Sequence, residues 1–519
     1  MCALCAAYSP ARASAAAAGV RSGALPTEVF IGVVHDVAAD YLPGSAGNSA
    51  GQEQFRQPLQ VLTTSGGRIW QLNDQQRGQV ASGTYSAVRG YRQGLDTIRV
   101  QSEHVLAAVR PDERSSAVQH LSVLVILADW TKPDGTTPKS ATNVVGKQTA
   151  TWYAEVSHER LKLSAHVTSW LRVKAPKGCD FTTIGNEAQS AASRAGYKPA
   201  RYTNIMIYFP YLASCGWAGL GYEPGTLTYI NGDMSLDVVA HELGHNLGLS
   251  HANTVTCTGA QLVSSCTNDE YGNPFDVMGD SGDGSFDALQ QDQLGWLPGG
   301  PLVVKKTMKV TLHPLESSDG EQAIEVVPNK STYGDLYYLE YRRAVGADAG
   351  YAPNQLDGVM INVSQMWDYD YFDDFGATWL LQLGPKGAYA LPAGSSWTAP
   401  EGITITVDST AASGAVISIR FGTQPDIPTK LEAVPGRTEI SLTWVPPTDV
   451  FDGKITGYDV TEYLHGQELN IVDTKSARAT ATLTGLKRGT AYSFTVSAYG
   501  PLGATDPPSR FTALVKTKT

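Results

Sequence analysis

The chain has 519 residues, too many for one hydrophobic core, so three or four domains are expected. With 42% hydrophobic and 17% charged residues, and no biased repeats, it has neither the charge excess of a disordered chain nor the pattern of a fibrous one. The formal net charge is -11 with no block of Lys or Arg, which argues against a nucleic-acid footprint or a polybasic membrane patch.

In chain order, residues 1–25 open with MCALCAAYSPARASAAAAG, a short apolar run followed by small residues that offer Ala-x-Ala cleavage sites, without a preceding positive region. This reads as the back half of a signal-like leader, with the true start upstream of Met1; an unstructured Ala-rich tail is the alternative. Residues 26–116 form a β-rich module of short strands separated by turns (EVFIGVVHDV, PLQVLTTSGGRIWQLN, TIRVQSEHVLAAV). The polar stretch RPDERSSAVQH, residues 110–120, suits an exposed linker that a protease could cut.

Strands and helices then alternate over 117–300. The apolar run LSVLVILA, residues 121–128, is about half a membrane span and predicts a buried strand instead. Val145, Thr149, Trp152 and Val156 follow at helical spacing, and Leu161, Leu163, Ala165 and Val167 alternate as in a half-buried strand. A second helix over TIGNEAQSAASRAGY and the strand NIMIYF complete a βαβαβ layout. Residues 301–422 show strands without a long helical period, which predicts a β-sandwich, and TQPDIPTK, residues 423–430, is a Pro-containing hinge.

The six cysteines form plausible pairs: Cys2 with Cys5, Cys179 with Cys215, and Cys257 with Cys266. Two disulfides in the middle of the chain and an oxidising compartment are expected, with buried thiols as the alternative.

The chemistry concentrates in VVAHELGHNLGLSHA, residues 238–252, which holds three of the ten histidines. On a helix His241 and His245 share a face, so two imidazoles can meet one ion, while Glu242 projects about 100° round the axis. A continuing helix would carry His251 too far away. Gly248 can adopt the left-handed conformation that stops a helix and lets His251 return as a third ligand. Ser235 is the expected N-cap, with Asp237 in the first turn. Three imidazoles with one open position describe a catalytic zinc site rather than a structural one.

HELGHNLGLSH fits the HExxHxxGxxH motif, and FDVMGD, residues 275–280, looks like the Met-turn that accompanies it, so the region resembles the metzincin zinc metalloproteases. SCGWAGLGYEPGTLTYINGDMS, CTNDEYGNPFDVMG and DALQQDQLGWL resemble the gametolysin-like peptidases and their bacterial relatives; the likeness spans about 117–300. It implies an α/β (α+β) metzincin domain, one catalytic Zn2+ on His241, His245 and His251, Glu242 as general base, Met278 beneath the ion, and a Cys179–Cys215 disulfide. It also implies that TLTYING is the edge strand on which an extended substrate lies, through Thr226, Leu227, Thr228, Tyr229 and Ile230. In some metzincins a tyrosine two residues after the Met-turn methionine swings onto the zinc; here that position is Asp280.

By the same resemblance the module before Gln119 looks like a propeptide, yet no cysteine lies between Cys5 and Cys179 to act as a thiolate switch. Asp74 or Asp96 could serve instead, and a non-inhibitory folding aid is the alternative. Residues 426–519, with Trp444 on an early strand and Tyr492 six residues after Leu486, resemble a fibronectin type III domain with a tyrosine corner.

Two acidic stretches, GDSGDGSFD (279–287) and WDYDYFDDF (367–375), hold oxygens that suit structural Ca2+ without EF-hand spacing; solvated loops are the alternative. Asn329 and Asn362 begin N-x-S sequons. The expectation is a secreted, monomeric zinc endopeptidase and zymogen acting on protein or peptide substrates, with C-terminal domains that hold it on a polymer or surface. Neither a nucleic-acid partner nor a membrane span is expected. The alternatives are a zinc-containing adhesion or binding protein with weak or no proteolytic activity, and a zinc hydrolase with a non-protein substrate.

Overall fold

The computed structural model describes residues 28–41, 59–64, 68–73, 84–92, 97–108, 118–257, 266–279, 282, 284–328, 336–364, 377–384, 387–399, 402–421, 428–447, 455–464, 466–499 and 514–519. Cys2, Cys5, Asp74, Asp96, Asp280, Asn329, the 367–375 stretch and most of the two expected linkers lie outside the described residues.

Five N-terminal strands, β1 (Glu28–Tyr41), β2 (Leu59–Thr64), β3 (Ile69–Asn73), β4 (Thr84–Arg92) and β5 (Thr97–Ala108), close in the order β1-β2-β3-β5-β4-β1. Only β3 and β5 run parallel, the strand order of an OB-type Greek-key barrel. Phe30, Val34, Leu62, Trp70, Leu72, Val88 and Ile98 fill it.

The central unit contains β6 (Gln119–Asp129), α1 (Pro138–Asn143), a π-helical turn (Val144–Thr149), α2 (Ala150–Val156), β7 (Leu161–Val167), β8 (Leu171–Arg172), α3 (Phe181–Arg194), β9 (Asn204–Phe209), β10 (Trp217–Glu223), β11 (Leu227–Asn231) and α4 (Leu236–Asn246). The sheet order is β7-β6-β9-β11-β10, parallel except for β10, and β8 pairs with the end of β6. Both faces of β6 are covered, which explains its unbroken apolar run. Val123, Val125 and Leu127 pack with Trp152, Tyr153 and Leu243, whereas Leu124, Ile126 and Ala128 pack with Phe181, Ile184 and Ala188 of α3.

The edge-strand expectation for residues 226–232 is corrected here. β11 lies inside the sheet, parallel to β9 and antiparallel to β10, and all five of its residues are buried. The edges of the central strands are β7 and β10, and β1 of the barrel covers β10: Asp36–Tyr41 run antiparallel to Glu223–Trp217. His35 Nδ1 adds a hydrogen bond to Pro224 O at 2.8 Å. Val37, Val61 and Ile69 of the barrel share an apolar cluster with Ile184, Ala188, Leu220 and Tyr222, and Asn186 of α3 exchanges two hydrogen bonds with the Ile69 backbone.

After α4 the chain builds a sandwich from β12 (Ala252–Thr256), β13 (Thr267–Asp269), helix α5 (Ala288–Gln293), β14 (Leu302–Val304), β15 (Met308–Leu312), β16 (Ala323–Val326), β17 (Tyr337–Tyr341), β18 (Val359–Val363), β19 (Thr378–Leu381), β20 (Ser396–Thr398), β21 (Thr404–Ala411) and β22 (Gly414–Arg420). One sheet is β13-β12-β19-β18-β17-β16-β14, the other β15-β22-β21-β20. Ile324, Leu339, Ile361, Ile405, Ile417 and Ile419 lie in the core between them. β12 and β13 precede residue 300 yet belong to this sandwich, so the expected boundary at 300/301 cuts through a shared sheet.

The C-terminal unit pairs a three-stranded sheet (Thr429–Pro435, Glu439–Val445, Thr480–Thr484) with a four-stranded one (Gly457–Leu464, Gln467–Asp473, Ala491–Tyr499, Val515–Lys516). Trp444 packs edge-on against Tyr458. The Lys487 backbone N–H donates to the Tyr492 hydroxyl at 3.1 Å, closing the expected tyrosine corner. Among the described residues no helix is long and apolar enough to cross a membrane.

Candidate metal centre

Helix α4 is set by its neighbours more than by its cap. Ser235 occupies the N-cap position but its side chain makes no capping bond. Asn246 instead ties the far end down, donating to Tyr222 O and Leu227 O at 3.0 and 3.1 Å and accepting from Asn204 at 2.9 Å. Tyr153 donates to Ala240 O at 2.7 Å. At the exit Gly248 has φ +94°, with Leu249 N–H bonded to Gly244 O and Gly248 N–H to His245 O, a Schellman stop. The chain then reverses into β12, with His251 directly before the strand's first residue.

His241, His245 and His251 are brought together, with one ligand atom of each lying within 4.8 Å of the others. Each imidazole commits Nδ1 to an oxygen. His241 Nδ1 bonds Val277 O at 2.7 Å, His245 Nδ1 bonds Leu249 O at 2.8 Å, and His251 Nδ1 bonds the Glu270 carboxylate at 3.0 Å. A nitrogen facing a carbonyl must carry the proton, so Nε2 is the acceptor on His241 and on His245. Those two Nε2 atoms face each other at 3.1 Å. Two lone pairs at that distance repel unless a cation lies against them, so the donor set fits a metal ion.

Glu242 is fully buried beside this centre, and β10 crosses over it. Gly219 and Gly221 of β10 face the helix: a Cβ on Gly219 would overlap the Glu242 carboxylate, and one on Gly221 would crowd Glu242 and His245. Met278 is fully buried among Val239, Ala240 and Leu243, and its sulfur abuts Gly244.

Some supporting groups escaped the sequence analysis. Glu223, at the end of β10, accepts from Ser250 Oγ and lies 3.3 Å from His245 Nδ1. Tyr271 lays its ring on His251 with centroids 3.9 Å apart, and holds φ +62°, an uncommon conformation for a non-glycine residue. The ELGHN helix gives no hint of either, since both come from other segments. A carboxylate near a histidine cluster is the one general signal that could have raised Glu223 and Glu270.

Other expectations resolve individually. Disulfides join Cys179 to Cys215 and Cys257 to Cys266. Asp287, expected in a solvated or calcium-binding loop, is fully buried and caps α5 by accepting from Gln290 N–H at 2.8 Å. Burial and the nearby Glu340 charge push its carboxyl up to about 6. Asn362 is fully buried on an interior strand, so its sequon offers no accessible acceptor in this fold.

Residues 138–344 match the family described as Gametolysin peptidase M11, and residues 426–513 match the fibronectin type III domain. The first match runs from α1 through β17, and so takes in part of the sandwich. A curated relative, Exoglucanase B of Cellulomonas fimi, is 39% identical over 88 residues, covering 17% of this chain and 7% of that protein's length. Among solved structures, a titin module from human cardiac muscle is 28% identical over 18% of this chain and 91% of that one, with a TM-score of 0.17. The sixth fibronectin type III domain of a human fibronectin type III domain containing protein is 19% identical, covering 19% and 91%, with a TM-score of 0.17.

Proposed function

From a chain that carries a gametolysin-type peptidase domain, we propose a secreted, zinc-dependent endopeptidase that the N-terminal barrel holds latent. The observation that carries the catalytic part is the convergence of three imidazoles beside a buried glutamate. Nε2 of His241, of His245 and of His251 would hold the ion. Bound there, zinc supplies a Lewis acid that acidifies water and polarises a scissile carbonyl.

The remaining steps belong to the protein. Glu242 accepts the proton of the attacking water and returns it to the leaving amine, so no covalent intermediate is needed. With the barrel removed, the side of β10 that β1 now occupies would take an extended peptide and orient the scissile bond over Glu242. Val277 O, Leu249 O and the Glu270 carboxylate keep the imidazoles in the tautomer that binds metal.

Latency follows from the same edge. β1 already fills the side of β10 that a substrate would use, in antiparallel register from Asp36 to Tyr41. No cysteine is required for this kind of block. The two disulfides support an oxidising, extracellular setting, and the fibronectin type III unit is read as an accessory module that keeps the enzyme on a polymer or surface.

The test is zinc content together with hydrolysis of an unstructured protein such as casein, before and after limited proteolysis near residues 110–120, with chelator and Glu242→Gln controls. One zinc per chain, with activity that appears on cleavage and disappears with chelator or in Glu242→Gln, supports the reading. Full hydrolysis by Glu242→Gln would sink the assigned mechanism. Zinc without hydrolysis in either form would favour the binding-protein alternative.

A further inference from the structure

We propose that Arg342, at the end of β17 in the sandwich, is a positioning residue for the metal-binding histidines, acting through the Met278 loop. The inference rests on the metallopeptidase reading and names a support that lies outside the motif.

Arg342 is fully buried. Its Nη1 donates to Phe275 O at 2.8 Å and to Ser285 O at 3.0 Å, so one guanidinium gathers both ends of the loop that carries Met278. Nε donates to Glu340 at 2.8 Å, and Asp348 lies 3.3 Å from Nη1. These carboxylates also hold the loop's exit: Asp348 accepts from Ser285 N–H at 2.9 Å and Glu340 from Ala288 N–H, at the start of α5, at 2.7 Å. Within the loop, Asp276 accepts from Met278 N–H at 2.8 Å and from Asp287 N–H at 2.6 Å.

From this clamp the path to the ligands is short. Val277 O, inside the clamped segment, holds His241 Nδ1 at 2.7 Å. Met278 O accepts from Ala252 N–H at 2.9 Å, next to His251. β12 then pairs in parallel with β19, where Thr378 N–H reaches His251 O at 3.3 Å. Two of the three ligands are therefore held by groups that the sandwich fixes.

The choice of side chain supports positioning over filling. Removing a charge from water is costly, and a buried ion network can often be replaced by apolar side chains without loss of stability. What an apolar side chain cannot do is donate from Nη1 to two carbonyl oxygens while Nε, in the same plane, donates to Glu340. A lysine keeps the charge for Glu340 and Asp348 but lacks the planar fork.

The experiment compares the full-length chain with Arg342→Lys, and with Ile417→Ala as a control for stability. Ile417 is fully buried in the sandwich core, away from the loop. Zinc affinity is measured by competition with a chelator, cobalt-substituted protein gives the ligand-field spectrum, and hydrogen exchange of the metal-free protein reports on Val277 to Gly279. Arg342→Lys is expected to weaken zinc binding up to roughly 10-fold, the low end of the range for a group bonded directly to a metal ligand, because Arg342 acts one step further out. It should also alter the cobalt spectrum, speed exchange in the loop, and lower kcat with KM nearly unchanged.

Ile417→Ala should lower Tm while leaving zinc affinity and the cobalt spectrum as they were. If Arg342→Lys does not fold, Asp348→Asn takes its place, with the same expectations for zinc affinity, spectrum and exchange. Unchanged zinc affinity and spectrum in the folded Arg342 or Asp348 variant would overturn the inference. An equal loss of affinity in Ile417→Ala would also overturn it, because global stability would then explain the effect. Absence of zinc from the unaltered chain would overturn the metallopeptidase reading and this inference with it.

Discussion

Gly219 and Glu242 share a space that has no room for one more carbon: a Cβ on Gly219 would overlap the Glu242 carboxylate. β10 can therefore cross the helix at this height only with glycine at the crossing. Gly219→Ala is expected to push the carboxylate aside while His241, His245 and His251 keep their partners. Zinc content should be retained, and kcat/KM should fall about 10²- to 10⁴-fold, the range for a displaced general base. Unchanged kinetics in Gly219→Ala would show that Glu242 is not held where proton transfer needs it.

Glu270 stands to His251 as Val277 O stands to His241, but with a charge. The contact is 3.0 Å and Glu270 is partly open to solvent, with 52% of its side chain exposed. Glu270→Gln keeps an acceptor oxygen and removes the charge, so zinc affinity should drop roughly 10-fold, at the low end of what such partners contribute. Chelator competition measures it. An unaffected dissociation constant would mean that the Tyr271 ring and the β12 backbone suffice to orient His251.

How much was legible depended on distance along the chain. His241, His245, Gly248 and His251 could be placed because helix periodicity and a single left-handed stop are local rules, Tyr492 because its corner closes within five residues, and Met278 only through the resemblance of FDVMGD to a Met-turn. The order of strands is not local. The edge reading of β11 rests on the resemblance alone, and with polar Thr228 and Asn231 among its five residues the sequence does not show that all five are buried inside the sheet. Which strand covers β10 depends on a pairing between residues 36–41 and 217–223, and no periodicity in either segment names its partner. Glu223, Glu270 and Arg342 were missed for the same reason, and the 300/301 boundary failed because a strand directly after His251 was claimed by a sheet completed more than a hundred residues later.

Ala38 tests the latency reading without cutting the chain. It pairs with Gly221 of β10, beyond the part of β1 that pairs with β2 and β4. Proline there disrupts the ladder by removing an N–H and adding a ring clash, while the barrel closure stays intact. Ala38→Pro in the uncleaved chain should raise peptide hydrolysis roughly 10-fold or more, since strand addition supplies much of such an interface. If uncleaved Ala38→Pro is as inactive as the unaltered chain while the cleaved enzyme works, the block lies elsewhere in the N-terminal module.

Glu316 makes stability depend on pH through the same network that holds the Met278 loop. Burial, then the Asp348 charge, pushes its carboxyl up to about 8, against a hydrogen bond from Arg343 N–H at 3.0 Å that favours the ionised form. The unfolded chain ionises this group near pH ~4.3, whereas the folded chain keeps its proton longer. Its favourable contribution is complete below the unfolded value and is lost as pH rises through about 8. Asp287, raised to about 6 by burial and Glu340, acts in the same direction at lower pH. The metal-free protein should therefore show a Tm that declines from about pH 5 to pH 8. Glu316→Gln keeps a neutral donor toward Asp348 and should flatten the upper half of that decline, leaving the Asp287 portion below about pH 6. Calorimetry of both proteins across that range measures the difference, and parallel curves would show that Glu316 is ionised in the folded state well below pH 8.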